Sequence, residues 1–280
     1  MRRLDLPDPR GALPPLRTPA LVCPTTNGLV PHVTPDLAED LPLYLFAGDF
    51  LSASLPPSQS YPASLASATH WVFLGPAAEF FAFEDGPVKE SLRITTRNGD
   101  RAVVSKDEYY ALAKRVAPQG LFAPFCPPAA HMGNRQRTLR AKLATEMVQP
   151  TEQTVLFTHA SSGVKDAGLV FTCGEFNQKA EDEFRAAAAE RDARHPRAVI
   201  CDGHPADVQR MVAAGADLVI PRLPVAYAEG GRALCFPFSS PGGKVTLDLR
   251  SPEFEHDHTP VVAGCTCLCC TKHTRSYIHH

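Results

Sequence analysis

Beyond residue 154 the chain alternates short apolar runs with longer stretches of mixed polarity. Residues 154–158, 168–172, 197–201 and 216–220 read as strands, and residues 233–238 as a further strand that closes the series. Residues 181–194, rich in alanine and charge, and residues 205–214 read as helices. Strand, helix, strand with tight connections predicts a parallel sheet with right-handed crossovers, either a barrel or a doubly wound sheet. Periodicity leaves both open. One link departs from the rule. Only the nine residues 159–167, including Ser161-Ser162-Gly163, separate two of the strands, whereas a parallel crossover takes about a dozen or more. Either this pair is antiparallel or a crossover helix is missing, and the second is the expectation.

The first half is more broken. Residues 1–19 read as a weakly ordered, flexible leader, and residues 20–30 as a strand and hairpin turning at Asn27-Gly28. An acidic, helical stretch is expected at 36–40, a buried apolar one at 41–50, and a surface loop at 52–67. Residues 70–74 and 80–83 suit short strands with Trp71 buried between them. Residues 91–96 and 101–104 flank Arg97-Asn98-Gly99-Asp100, a hairpin signal. Ser105-Lys106-Asp107-Glu108 is a capping box that should open a helix with Tyr109, Leu112 and Ala113 inward. A helix over 135–149 is predicted from Leu139, Leu143 and Met147, spaced four apart.

Composition narrows the class. With 280 residues and 44% hydrophobic content the chain can bury a sizeable core. The 27 prolines mark irregular connections in the first 60 residues and around 124–128. No apolar run approaches the ~18 residues of a membrane span, and the start lacks the apolar stretch of a secretory signal. A formal net charge of −2 argues against binding nucleic acid through a whole-body field. Local patches remain: Arg135, Arg137, Arg140 and Lys142, read as a solvated helix face rather than a phosphate contact, and Lys272 with Arg275.

The chemistry concentrates at the end. Four of nine cysteines, Cys265, Cys267, Cys269 and Cys270, fall within six positions and are followed by three of eleven histidines, His273, His279 and His280. Thiolates packed this densely repel one another unless a cation neutralises them, and zinc is the usual answer. Cys265, Cys267 and Cys270 form a Cys-x-Cys-x-x-Cys knuckle that aims three sulfurs at one point. Free thiols beside such a knuckle suit a reducing compartment, so the cytosol is the expected location. Cys23, Cys126, Cys173 and Cys235 are scattered singly, as core or near-core thiols would be. Cys201-Asp202-Gly203-His204 reads as an ordinary loop after a strand, and His256-Asp257-His258 as a solvated loop.

The knuckle followed by His273-Thr274-Arg275-x-Tyr277-Ile278-His279-His280 resembles the zinc-binding segment of the tRNA-guanine transglycosylases, which exchange a guanine in tRNA for queuine or a precursor of it. The adjacent pair Cys269-Cys270 resembles the accessory subunit of the eukaryotic queuine tRNA-ribosyltransferase heterodimer more than the catalytic one. The specific part of the resemblance is residues 261–280. It implies an α/β fold, a (β/α)8 TIM-type barrel that is incomplete here, with a β-rich N-terminal region and a zinc-binding subdomain at the C-terminus. The implied domains are the leader 1–19, a partial barrel over 20–238 and a truncated zinc segment over 239–280. It also implies one Zn2+ held by Cys265, Cys267 and Cys270. The family's fourth ligand is a histidine further downstream, beyond His280, so His273 or His279 would have to serve. The implied partners are the catalytic queuine tRNA-ribosyltransferase subunit, in a heterodimer, and tRNA through that complex. The resemblance also allows the mitochondrial outer surface.

Base exchange needs a nucleophile that holds the ribose after guanine leaves, and the family uses an aspartate in a segment resembling Gly-Val-Asp-x-Phe-Asp-Cys-Val-x-Pro. The matching stretch runs from Gly215 through Asp217 to Pro224, and puts Ile220 at the nucleophile position. The family's second carboxylate sits in Asp-Ser-Gly-Gly-Phe-Gln; no such motif occurs, and Asp85 and Asp100 lack those neighbours. The expectation is a chain with no catalytic residue. Its rivals are an active transglycosylase with a displaced nucleophile, Asp202 or Asp217, and a stand-alone zinc-dependent RNA-binding module.

Overall fold

One extended stretch, residues 20–25, closes the sheet because the N–H groups of successive residues on a strand point to opposite sides. Ala20 and Val22 donate to the carbonyls of Asp217 and Val219, both at 2.9 Å, while Cys23 and Thr25 donate to Pro42 and Tyr44 at 2.8 and 3.0 Å. The computed structural model describes residues 2–38, 41–51, 70–76, 91–95, 101–124, 133–151, 154–235 and 246–280. The features expected at 52–67, 80–83 and 97–100, with Asp85 and Cys126, lie outside the described residues. The chain divides into two compact units, Met1–Arg222 and Leu223–His280.

In the first unit, β1 (Asp5–Leu6) and β2 (Leu16–Arg17) form a small antiparallel pair. The large sheet contains β3 (Ala20–Leu21), β4 (Cys23–Pro24), β5 (Leu43–Phe46) and β6 (Val72–Gly75). An antiparallel hairpin, β7 (Ser91–Thr95) and β8 (Arg101–Ser105), stands apart from it. The large sheet continues through β9 (Gly120–Phe122), β10 (Val155–His159), β11 (Gly168–Thr172), β12 (Arg197–Cys201) and β13 (Leu218–Pro221). Its pairs are all parallel, and its order runs from β3 through β13 and back down to β4. Since β3 and β4 are halves of one stretch, the nine segments make a barrel of eight staves.

Alternation sorts the side chains. Val22, Tyr44, Phe73, Phe122, Phe157, Val170, Ile200 and Ile220 fill the interior, with Phe122 and Phe157 stacked at 4.8 Å. Glycines on the same inward positions make room for the rings: a Cβ at Gly120 would fall 2.3 Å from Phe73, and one at Gly168 2.8 Å from Phe157. The other face of β11, β12 and β13, with Leu169, Phe171, Val199 and Val219, packs on Phe184 of the Gln178–Ala189 helix and Met211 of the Pro205–Ala214 helix. Strands covered on both faces read as continuous apolar runs, which is why they were visible in sequence.

The helical layer is where the barrel is incomplete. Between β10 and β11 only a single 3-10 turn, Ala160–Ser162, takes the place of a helix, and the two strands are nevertheless parallel. The stagger explains the short link. Gly168 pairs with Phe157, so after His159 the chain returns only about two strand residues, roughly 7 Å, before β11 begins. The buried Arg191 side chain covers the exposed flank, donating to Thr158 Oγ1 at 3.0 Å and to the carbonyls of Ala167 and His159, both at 3.4 Å.

Several expectations change. Residues 4–18 are not a weakly ordered leader: Leu4, Leu6, Leu13 and Leu16 pack under the barrel interior, and Asp8 accepts N–H bonds from Arg10, Ala12 and Leu13 that hold the turn between β1 and β2. The strand expected at 233–238 is not in the parallel sheet. β14 (Arg232–Leu234) pairs antiparallel with β15 (Thr246–Asp248) inside the second unit. The helix predicted over 135–149 spans Asn134–Glu146, but it buries Arg140, Ala144 and the following Met147, and leaves Leu139 47% exposed. The Asn27-Gly28 turn forms as read, with φ of 50° and 84° and a Thr26–Leu29 bridge. The capping box also forms: Ser105 and Glu108 cap the Lys106–Val116 helix reciprocally, with Tyr109, Leu112, Ala113 and Val116 inward.

The closure has an electrostatic fastening. Asp217, fully buried at the start of β13, accepts the Arg197 N–H at 2.8 Å and meets Arg2 Nε at 3.1 Å. Replacing Asp217 with alanine should lower unfolding stability by about 3 kcal/mol, because Arg2 and the Arg197 N–H lose their partner together. A chemical-denaturation midpoint equal to the parent's would show that the fastening is dispensable.

Candidate functional site

At the C-terminal ends of barrel strands, where such folds carry their chemistry, Ile220 of β13 is 1% exposed and belongs to the interior cluster with Phe73, Phe122 and Phe157. The position aligned with the family nucleophile is therefore part of a hydrocarbon packing. Asp202 follows β12 and is ion-paired with Arg222, which follows β13. Asp217 lies at the opposite end of β13, with no exposed surface and its carboxylate engaged by Arg2, Arg197 and Thr18. It cannot reach a ribose at the mouth.

The thiols near the mouth are quiet. Burial above all, with the Asp202 charge second, pushes the Cys173 thiol up to about 12. Cys201 is fully buried, raised by the same cause, and points away from the interior toward Met211 Sδ at 3.5 Å. His204 turns its Nδ1 to the Ala206 N–H at 3.4 Å, capping the following helix. No thiol–imidazole pair arises from this sequence neighbourhood. His159, at the end of β10, went unnoticed in sequence because nothing distinguishes it from any other strand-end histidine. It is buried, takes the Ser161 N–H at 3.2 Å, and is pushed down to about 4 by burial first and by the Arg191 charge second.

The second unit gathers the cysteines. Leu249, Phe254 and Val261 form its small core, against which Cys270 and Ile278 pack. Arg275 pins the last helix, Arg275–His279, to the preceding loop: it reaches Asp257 at 3.0 Å and the Val261 carbonyl at 3.2 Å, and lies 5.5 Å from the Phe254 ring centre. Asp257 is thus held in structure, not offered to a metal, and Arg275 is not a free basic spot. Ser276 adds a bond to the Glu255 carbonyl at 2.6 Å. This frame presents the sulfurs of Cys265, Cys267 and Cys270, all within 4.8 Å of one another.

Three sulfurs so placed fit a metal ion with Zn–S bonds of about 2.3 Å, which calls for sulfur separations near 3.8 Å. Their acidities support the fit. The Cys270 N–H facing its sulfur, then the Cys265 thiol, lower Cys267, whereas burial and the neighbouring sulfurs push Cys270 up to about 11. The ionised Cys267 sulfur holds its neighbour Cys270 protonated, and a bound cation would reverse that. Neither His273 nor His279 joins them. His273 stacks on Tyr277 at 4.7 Å, and His279 Nδ1 contacts the Leu249 carbonyl at 2.8 Å. Among the described residues no fourth cysteine, histidine or carboxylate lies within the same reach of all three sulfurs.

Comparison with known proteins gives the family. A family model described as queuine tRNA-ribosyltransferase matches residues 81–280. The chain is 24% identical to the queuine tRNA-ribosyltransferase accessory subunit 2 of Anopheles gambiae, over 95% of the chain and 73% of that protein. It is 23% identical to the protein of the same name from Schizosaccharomyces pombe, over 95% of the chain and 68% of the relative. A queuine tRNA-ribosyltransferase of Synechococcus sp. (strain CC9311) is 36% identical, but over 31% of the chain and 22% of its own length.

Two outcomes follow from the mouth. Replacing Ile220 with aspartate should lower stability by about 3 kcal/mol or more, since the carboxylate would enter a hydrocarbon interior, and should yield no base exchange; exchange activity in that variant would refute the packing account. For His159 the folded value lies below the usual 6.5, so the unfolded chain takes up a proton first. Stability should therefore fall as pH drops from about 6.5 toward 4, by about 3 kcal/mol across that window. Denaturation series at several pH values should show the decline flattened in His159→Gln, and an identical slope in both proteins would remove His159 from the account.

Proposed function

The chain belongs to the queuine tRNA-ribosyltransferase family, and from that premise we propose that it is a non-catalytic, zinc-binding accessory subunit. In this reading it pairs with a catalytic queuine tRNA-ribosyltransferase subunit and supports the exchange of guanine for queuine in tRNA. The observation that carries the reading is Ile220: hydrocarbon buried among phenylalanine rings where the family's aspartate would attack the ribose. Two relatives aligned over 95% of the chain carry the accessory-subunit name, which supports the same role.

Zn2+ is the metal that three closely set cysteines suit best, and Cys265, Cys267 and Cys270 would hold it for structure, not reaction. Bound there, it would neutralise the sulfurs and cross-link the Leu268–Lys272 helix to the chain before it. The remaining work falls to protein groups: Arg275 and Asp257 fix the frame on which the sulfurs sit. None of the described helices is long and apolar enough to cross a membrane. The cytosol is the compartment we propose, since free thiols persist where the medium is reducing.

The test is reconstitution. The chain alone should leave labelled guanine in tRNA unexchanged and form no covalent tRNA adduct, while co-expression with a catalytic subunit should give a stable complex with exchange activity. Exchange by the chain alone, or failure of the two proteins to associate, would defeat the proposal. Separately, metal analysis of the purified chain should give about one equivalent of zinc, and Cys270→Ser should lose most of it. Zinc retained at full stoichiometry by Cys270→Ser would discard the three-sulfur site.

A further inference from the structure

At the end of the barrel opposite the mouth, a half-enclosed cavity of about 430 Å³ opens between the Lys106–Val116 helix and the segment leading into β10. That volume suits a small organic molecule. Leu121, Ala113 and Pro150 give it apolar walls, and Arg10 and Lys114 contribute cations. Among the described residues none that lines it is acidic.

The hydroxyls of the wall are already used. Tyr110 donates its hydroxyl to the Met147 carbonyl at 3.0 Å and accepts the Gln149 N–H at 2.9 Å. Thr151 donates to the Thr154 carbonyl at 3.2 Å, and Thr154 to the Pro118 carbonyl at 3.1 Å. What remains for recognition is the Gln149 amide and charge. Lys114 has no ion-pair partner among the described residues. Arg10 sits 3.9 Å from Asp8, a carboxylate already satisfied by the N–H groups of Arg10, Ala12 and Leu13, so its guanidinium is only partly neutralised. The helix C-terminus nearby carries partial negative charge, about half a unit, which two full cations exceed.

We propose that this cavity is a binding site for a small organic anion, with a flat apolar body inside and one carboxylate, phosphate or sulfonate group at the Lys114–Arg10 edge. The site is independent of the barrel mouth and of the cysteine cluster. It does not depend on the accessory-subunit reading.

The probe is 1-anilinonaphthalene-8-sulfonate, an aromatic body with one anionic group, titrated into the full chain and followed by fluorescence and calorimetry. The parent should bind one dye per chain at this site. Lys114→Glu, a change at an exposed side chain, should weaken it about tenfold, and Lys114→Gln by less. Thr151→Trp should abolish binding by filling the cavity. Neutral N-phenyl-1-naphthylamine should bind more weakly and be indifferent to Lys114. Dye affinity unchanged in both Lys114→Glu and Thr151→Trp, or equal affinity for the neutral analogue, would overturn the proposal. So would an anticodon stem-loop RNA whose binding falls in Lys114→Glu while the dye is unaffected, because the cations would then read a nucleic-acid backbone. Circular dichroism melts establish that each variant is folded.

Discussion

Asp217 joins three separate parts of the chain at one point. Its carboxylate holds Arg2 and the Arg197 N–H, and its carbonyl accepts the N–H of Ala20. Burial pushes this carboxyl up, while Arg2, Arg197 and Thr18 work in the other direction. An ionised aspartate without exposed surface is tolerable only while those partners stay, and that condition ties the N-terminal segment to the last barrel strand. Ring closure follows: residues 20–25 can bridge β13 and β5 only if they are held at the register Asp217 sets. A residue with so many structural duties is not available for chemistry, so the same interaction that closes the barrel removes one rival nucleophile.

Closure also decides what the interior can be. With the ring complete, inward positions are filled by phenylalanines and aliphatics up to Ile220, and glycines at 120 and 168 admit rings that any side chain there would displace. A covalent base exchange at that position would require a solvated carboxylate where hydrocarbon now packs. Asp202, nearer the mouth, is committed to Arg222. On the proposed reading the barrel serves as a scaffold, with hydrocarbon at the position aligned with the family's nucleophile.

Legibility in the sequence followed the physics of burial. β10 to β13 were readable because strands covered on both faces are unbroken apolar runs, and the Ser105 cap and Asn27-Gly28 turn because each depends on local chemistry. The N-terminal segment was not, since its four leucines are separated by prolines and its order comes from Asp8 and from the barrel beneath which it packs. The Asn134–Glu146 helix misled because a buried arginine, Arg140, stands where periodicity expects an apolar residue. The knuckle was legible to the residue, but not the duties of His273 and His279, which are set by a stacked tyrosine and a distant carbonyl.

The described core of the second unit is small. Among the described residues its core cluster is Leu249, Phe254 and Val261, a small apolar centre for the segment. Polar cross-links carry more of the burden: Arg275 to Asp257, Ser276 to Glu255, and His279 to Leu249 all fasten the last helix. The three sulfurs sit on the stretch between that helix and Val261, with Cys270 packed against the small core. On the proposed reading a cation there would complete this frame: contacts from Cys270 and Cys265 lower Cys267, burial and its sulfur neighbours raise Cys270, and a bound cation would favour the ionised form of both.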